Sequence, residues 1–216
     1  MRKNLTEIVF ILDRSGSMAG LEADTIGGFN AMIGKQKAEP GQAYVSTILF
    51  DNHTEVIHDR VQVQQVRPMT RKDYYVRGCT ALLDAVGGAI RHIHNVHKYA
   101  REEDRPEKTL FVITTDGMEN ASRHYNYEKV KQMITAHQQE GWEFLFLGAN
   151  INAAQEAARF GIHADHAADY HADSTGTGVV YDTVNDAICQ ARRCAAPLSA
   201  NWKEKVDQDF RKRGRR

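Results

Sequence analysis

Three stretches of this chain, Glu7–Leu12, Thr109–Thr115 and Trp142–Leu147, carry nearly continuous apolar runs of strand length. A strand wetted on one side alternates polar and apolar residues, so runs without alternation have to be covered on both faces. Helical spacing fills the intervals. Leu21, Ile26, Phe29 and Ile33 recur until Glu39-Pro40-Gly41, and Leu82, Val86, Ile90, Ile93 and Val96 mark a helix from Ala81 to about Ala100. Val130, Met133, Ile134 and His137 give another, which Gly141 ends. Ala153–Phe160 and Val179–Arg193 read as two more, with Ser174 and Thr175 expected as N-caps of the latter. Tyr44–Phe50 is a further strand. Only Asp51-Asn52-His53-Thr54 separates it from Glu55–His58, too short a link for a parallel crossover, so the two pair antiparallel at a sheet edge. A weak strand is expected near Asp165–Tyr170. Together these predict a Rossmann-like, doubly wound α/β fold: a mostly parallel sheet with one antiparallel edge strand and helices on both faces.

At 216 residues the chain suits one domain with a sizeable core. From Pro197 the pattern changes to a polar helix carrying Trp202, Val206 and Phe210, followed by the basic end Arg211–Arg216. Residues 1–196 are therefore read as the domain and 197–216 as a helical, basic tail, its charged end solvated. The 28 Lys and Arg balance the 28 Asp and Glu, so no overall field draws the chain to nucleic acid or to an anionic membrane. Cys79, Cys189 and Cys194 form an odd set without framework spacing, which points to a reducing compartment. The apolar run Ile8–Leu12 is too short for a signal peptide, and no stretch approaches the length of a membrane span. A soluble, cytoplasmic protein is expected.

Chemistry concentrates where strands end. Asp13, Ser15 and Ser17 follow the first strand in Asp-Arg-Ser-Gly-Ser, Thr80 lies in Gly78-Cys79-Thr80-Ala81-Leu82 before a helix, and Asp116 follows a second parallel strand in Thr-Thr-Asp-Gly. In a doubly wound sheet, loops beyond the carboxyl ends of neighbouring strands meet in one crevice. Three hydroxyls and two carboxylates offer only hard oxygen donors, which suit Mg2+, Mn2+ or Ca2+, whereas Zn2+ normally recruits His or Cys. Asp51, Glu119 and Asn120 fall on loops expected near the same rim and are candidates for contacting a partner.

Asp-x-Ser-x-Ser, Gly-x-Thr-Ala-Leu and Thr-Asp-Gly, in this order, resemble the metal-ion-dependent adhesion site of von Willebrand factor type A (VWA) domains. The resemblance spans about residues 5–193. It implies that Ser15, Ser17 and Thr80 supply hydroxyl ligands, that Asp13 and Asp116 act mostly through metal-bound waters and hydrogen bonds to the serines, and that Mg2+ is the usual ion. It further implies a protein partner that presents an Asp or Glu to the metal, with the Thr80 loop as the moving part. The chain looks like the small intracellular bacterial and phage members, some of whose relatives work beside AAA+ ATPases or kinase systems.

A metal-dependent phosphoesterase of Rossmann-like fold would want a second acid two residues after Asp13, and Ser15 stands there, so an enzyme is not expected. RNA binding has the basic tail as its local support. His92, His94 and His97 share one helix, where only His94 and His97 fall on neighbouring turns, and His163, His166 and His171 alternate with Asp165, Asp169 and Asp173. Both groups are read as solvated rather than metal-binding. Thr175-Gly-Thr-Gly178 lacks the lysine of a phosphate loop and is read as helix capping.

Overall fold

The computed structural model describes residues 1–194 and 196–214, so Arg215 and Arg216 of the basic end lie outside the described residues. Six strands, β1 (Arg2–Asp13), β2 (Gln42–Phe50), β3 (Thr54–Gln62), β4 (Pro106–Thr115), β5 (Glu143–Ala149) and β6 (Ala167–Tyr170), form one sheet in the order β3-β2-β1-β4-β5-β6. All pairs are parallel except β2 with β3, the short-link pair. The near-continuous runs are explained by what lies above and below them. Ile8, Phe10 and Leu12 of β1, with Leu110, Val112, Leu145 and Leu147, enter one core, while Val9 and Ile11, with Phe111, Ile113, Phe144 and Phe146, enter the other.

The first core is covered by α1 (Glu22–Ala38) and α5 (Ser174–Arg193), the second by α2 (Leu82–Tyr99), α3 (Tyr127–Gln139) and α4 (Ala153–Arg159). Asn126 and Asn152 cap α3 and α4 by accepting the N–H of Lys129 and Gln155. No helix among the described residues is long and apolar enough to cross a membrane.

Two sequence expectations need correction. Helix α5 starts at Ser174, and its N-cap is Asp173, which accepts the Gly176 N–H at 2.8 Å. A Cβ on Gly176 would sit 2.1 Å from the His171 carbonyl oxygen, so glycine is required at that one position of the first helical turn. The tail is not a separate appendage either. Leu198, Trp202 and Val206 are buried in the first core, and α6 (Glu204–Arg213) packs on β6 and α5. Within the basic end, Arg213 is held by Asp173 at 2.7 Å and Asp209 at 2.6 Å.

Candidate functional site

Strand order reverses at β1, whose two neighbours are β2 and β4, so the crevice of the fold opens beyond the ends of β1 and β4. Their register sets Leu12 beside Thr114, which brings Asp13 next to the Thr115-Asp116 corner. Asp13 is 1% exposed. Its Oδ1 accepts the Ser15 N–H at 2.7 Å and its Oδ2 accepts the Thr115 hydroxyl at 2.6 Å. The Ser17 hydroxyl donates to Asp116 Oδ1 at 2.5 Å and lies 3.1 Å from the Ser15 hydroxyl. Since Ser17 has one proton and gives it to Asp116, Ser15 is the donor of the serine pair.

Thr80 reaches the same place from the third loop. A Cβ built on Gly117 would meet Ser17 Oγ and Thr80 Oγ1, each at 3.6 Å, so both hydroxyls face the Asp116-Gly117 corner. Backbone bonds tie the loops together, Gly16 N–H to the Gly78 carbonyl at 3.1 Å and Arg77 N–H to the Arg14 carbonyl at 3.0 Å. Gly78 has φ +70°, and a side chain there would run into Asn52, which accepts the Cys79 N–H. Asp13, Ser15, Ser17, Thr80 and Asp116 are thus brought together.

Of the three candidates for partner contact, Asp51 is buried, Glu119 is half-buried and Asn120 is exposed, and each also makes hydrogen bonds that support the rim. Asp51 is 1% exposed and its Oδ2 accepts from Arg14 Nε at 2.9 Å and Arg77 Nε at 2.8 Å. Asn120 Oδ1 accepts the Thr80 N–H at 2.9 Å, while the Thr80 carbonyl accepts the Asn120 and Ala121 N–H groups. Glu119 accepts the Leu83 N–H at 2.8 Å, capping α2 where no side chain of its own does so, and also the Ala121 and Ser122 N–H groups. Asn120 and Glu119 therefore hold the Thr80 loop and α2 in place.

Four residues that the sequence did not single out complete the support. Thr115 orients Asp13, and the Tyr74 hydroxyl donates to the Asp13 carbonyl at 2.5 Å. Arg14, fully buried, spans Asp51, Glu55 and the Asp73 carbonyl from beneath the loop. Asp84 accepts three successive N–H groups, of Arg123, His124 and Tyr125, and so pins the loop after β4 to α2. The type of residue in the run around Asp13 made Arg14 visible in sequence, but nothing local tells an inward Arg from an outward one.

No protein-family model matches the chain, and no curated protein matches it in sequence. Solved structures do. Proximal thread matrix protein 1 from the mussel byssus, with a zinc-occupied MIDAS motif, is 14% identical over 88% of this chain and 47% of its own, with a TM-score of 0.59. Manganese-loaded TRAP protein of Plasmodium vivax is 17% identical over 68% of this chain and 58% of its own, at 0.52. The ArnB paralog VWA2 from Sulfolobus acidocaldarius is 16% identical over 86% and 45%, also at 0.52. This chain has a VWA fold. It spans between 45% and 58% of the length of these three chains, and at such identities the likeness concerns the fold alone.

Within the VWA fold, the rim has the chemistry of a cation site. Asp116 Oδ2 is buried and has no hydrogen-bond partner among the described residues. Burial raises the Asp116 carboxyl to about 6, the Ser17 hydrogen bond opposing and the Asp13 charge reinforcing the shift. Asp13 is raised as well, by burial, against the hydrogen bonds from Thr115 and Ser15. Two crowded, desolvated carboxylates with an unused oxygen beside three hydroxyls form a set that a hard divalent cation fits. Alongside lies an open cleft of about 880 Å3, bordered by Gly78, Ala81 and Ala121 of the Thr80 surroundings. Four cations, Arg77, Arg91, Arg123 and Lys129, face two carboxylates there, Asp51 and Asp84, both already engaged as described. Lys129 and Arg91 stand over the Tyr125 ring at 4.5 and 5.8 Å, which leaves the cleft positive.

Proposed function

We propose that this VWA-fold protein is a divalent-cation-dependent interaction module, without enzymatic activity of its own, that takes hold of an acidic residue of a partner protein. The convergence of oxygen side chains from three loops, with one buried Asp116 oxygen left over, carries the reading. Ser15, Ser17 and Thr80 would hold the ion through neutral hydroxyls, while Asp13 and Asp116 balance its charge. A bound Mg2+, or Mn2+ or Ca2+ in its place, would keep an electrophilic position for an incoming carboxylate. The protein contributes orientation: Thr115 and the Ser15 N–H fix Asp13, Ser17 fixes Asp116, and Asn120 fixes the backbone of Thr80.

The positive cleft beside Thr80 supports an acidic partner segment, since further Asp or Glu residues would meet Arg91, Arg123 and Lys129. A hydrolytic reading gains no support from Asp13, whose two oxygens both accept hydrogen bonds from the protein. RNA binding through the tail gains little from Arg213, which is paired with Asp173 and Asp209.

The experiment is binding of a fluorescent peptide carrying one central Asp among acidic neighbours, compared with its central-Asn counterpart. Binding of the first alone, abolished by EDTA and by Ser15→Ala with Ser17→Ala, is the expected result. Equal binding of both peptides in EDTA would refute metal-dependent capture.

A further inference from the structure

On α2 the sequence makes His94 and His97 neighbours, but the fold gives His94 a different companion. Helices α2 and α3 lie side by side on one face of the sheet. The His94 ring centroid stands 5.1 Å from that of His137 on α3, and Glu140, just past the end of α3, places Oε2 2.8 Å from His137 Nδ1. One donor atom from each of His94, His137 and Glu140 lies within 4.8 Å of the others. His97 stands edge-on to Trp142 at 5.3 Å beside the same cavity, but its Nε2 is 3.5 Å from the buried Glu7.

The cluster has an anchor and an opening. His137 is buried and stacked on Trp142 at 4.1 Å and 14°, and its carbonyl accepts the N–H of Glu140 at 3.0 Å and of Trp142 at 2.9 Å. Glu140 is exposed and His94 half-buried, and both border an open cavity of about 500 Å3. Donor atoms of a tetrahedral site with bonds of about 2.1 Å sit about 3.4 Å apart. Reaching that spacing asks Glu140 to draw back slightly from His137 and His94 to move closer, rotamer adjustments of the two accessible side chains around a fixed His137.

Two imidazoles and one carboxylate are the protein ligands of a zinc site that keeps its fourth position open. They are also the opposite of the all-oxygen set at the rim, since imidazole selects borderline transition metals over Mg2+ or Ca2+. We propose that His94, His137 and Glu140 form a second metal site, for Zn2+ or a similar transition ion, with water from the cavity as its fourth ligand. It lies roughly 20 Å along α2 from Thr80, by the helical rise between residues 80 and 94. The two sites therefore take different ions at separate places. An ion here would clamp the C-terminal halves of α2 and α3 to each other.

Titration of the full chain with Co2+, in saturating Mg2+, tests this through the visible absorption of four-coordinate cobalt. Wild type and Asp116→Ala, which lacks the rim carboxylate, are both expected to develop the bands at one equivalent. His94→Ala is expected to lose them, and Glu140→Gln to weaken Zn2+ competition by at least about tenfold. Both altered side chains are solvent-accessible, so circular dichroism should report a wild-type fold. Unchanged bands in His94→Ala, loss in Asp116→Ala, or no bands in wild type would each overturn the second site. Because Asp116→Ala disables only the rim, its spectrum separates this proposal from the fate of the acidic-partner reading.

Discussion

On the proposed reading a proton and a cation compete for Asp116, and the competition has a sign. Its folded carboxyl, raised to about 6 by burial and the Asp13 charge, keeps a proton that the unfolded chain has lost by about pH 4. The stability this group contributes is full below about pH 4 and is lost as pH rises through about 6. Metal binding displaces the same proton, so the gain from Mg2+ should grow over that window. At a hundred times Kd, a native-only ligand adds about 2.7 kcal/mol, or about 5–10 °C in Tm for a chain of this size. Melting scans with Mg2+ and with EDTA at pH 5 and pH 7.5 should show the larger increment at pH 7.5, and Asp116→Asn should show none at either. An increment that shrinks with pH would contradict the assignment. Arg14 poses a separate question at this scale, because removing it leaves Asp51 buried beside Arg77 alone. Arg14→Met is expected to cost about 3–5 kcal/mol in urea unfolding, the range for breaking a buried ion pair.

At the scale of elements, the loop after β4 acts as a splint for the Thr80 loop and the start of α2. Asn120→Ala leaves the Thr80 N–H without its side-chain acceptor, a loss of about 1–3 kcal/mol for a buried donor, and should weaken Mg2+ binding by about 10–100-fold. Asn120→Asp keeps the acceptor oxygen and should restore most of the stability. Mg2+ titrations followed by Tm would measure both, and a wild-type affinity in Asn120→Ala would show that the loop needs no splint. This also marks what was legible in sequence. The five rim oxygens could be read because hydroxyls and carboxylates at strand ends have few other reasons to occur in three loops together. Strands β1, β4 and β5 could be read because two-sided burial erases alternation. Thr115, Tyr74 and the bond from the Thr80 N–H to Asn120 could not, since a hydrogen bond to a site from about 40 to 100 residues away leaves no local pattern. Asp51 was misplaced for a related reason: a loop Asp looks the same whether it faces solvent or a buried Arg.

At the scale of the molecule, the tail decides whether the sheet is closed. Edge strand β6 is short, and its outer side would be open to pairing with another chain if α6 did not lie against it. The polar composition of the tail hid this, because three apolar anchors among many charges look like a solvated helix until the surface they meet is known. Leu198, Trp202 and Val206 meet the first core, Trp202 Nε1 donates to the Asp165 carbonyl at 2.8 Å, and Lys203 Nζ donates to the carbonyls of Ala164 and Ala167 at 2.6 and 2.7 Å. Phe210 stacks on His171 at 4.7 Å and shares with Ser17 the lining of an open cavity of about 970 Å3 on the side of the rim away from Thr80. Trp202→Ala is therefore expected to cost about 3–5 kcal/mol in denaturant unfolding, as for a buried aromatic in any core. Truncation after Ala196 should cost more and should promote self-association through β6, seen as a concentration-dependent increase in size by light scattering. If the truncated chain kept the wild-type midpoint and stayed monomeric, the domain would end where the sequence pattern changes. The packing of Trp202 and Val206 argues instead that α6 belongs to the fold.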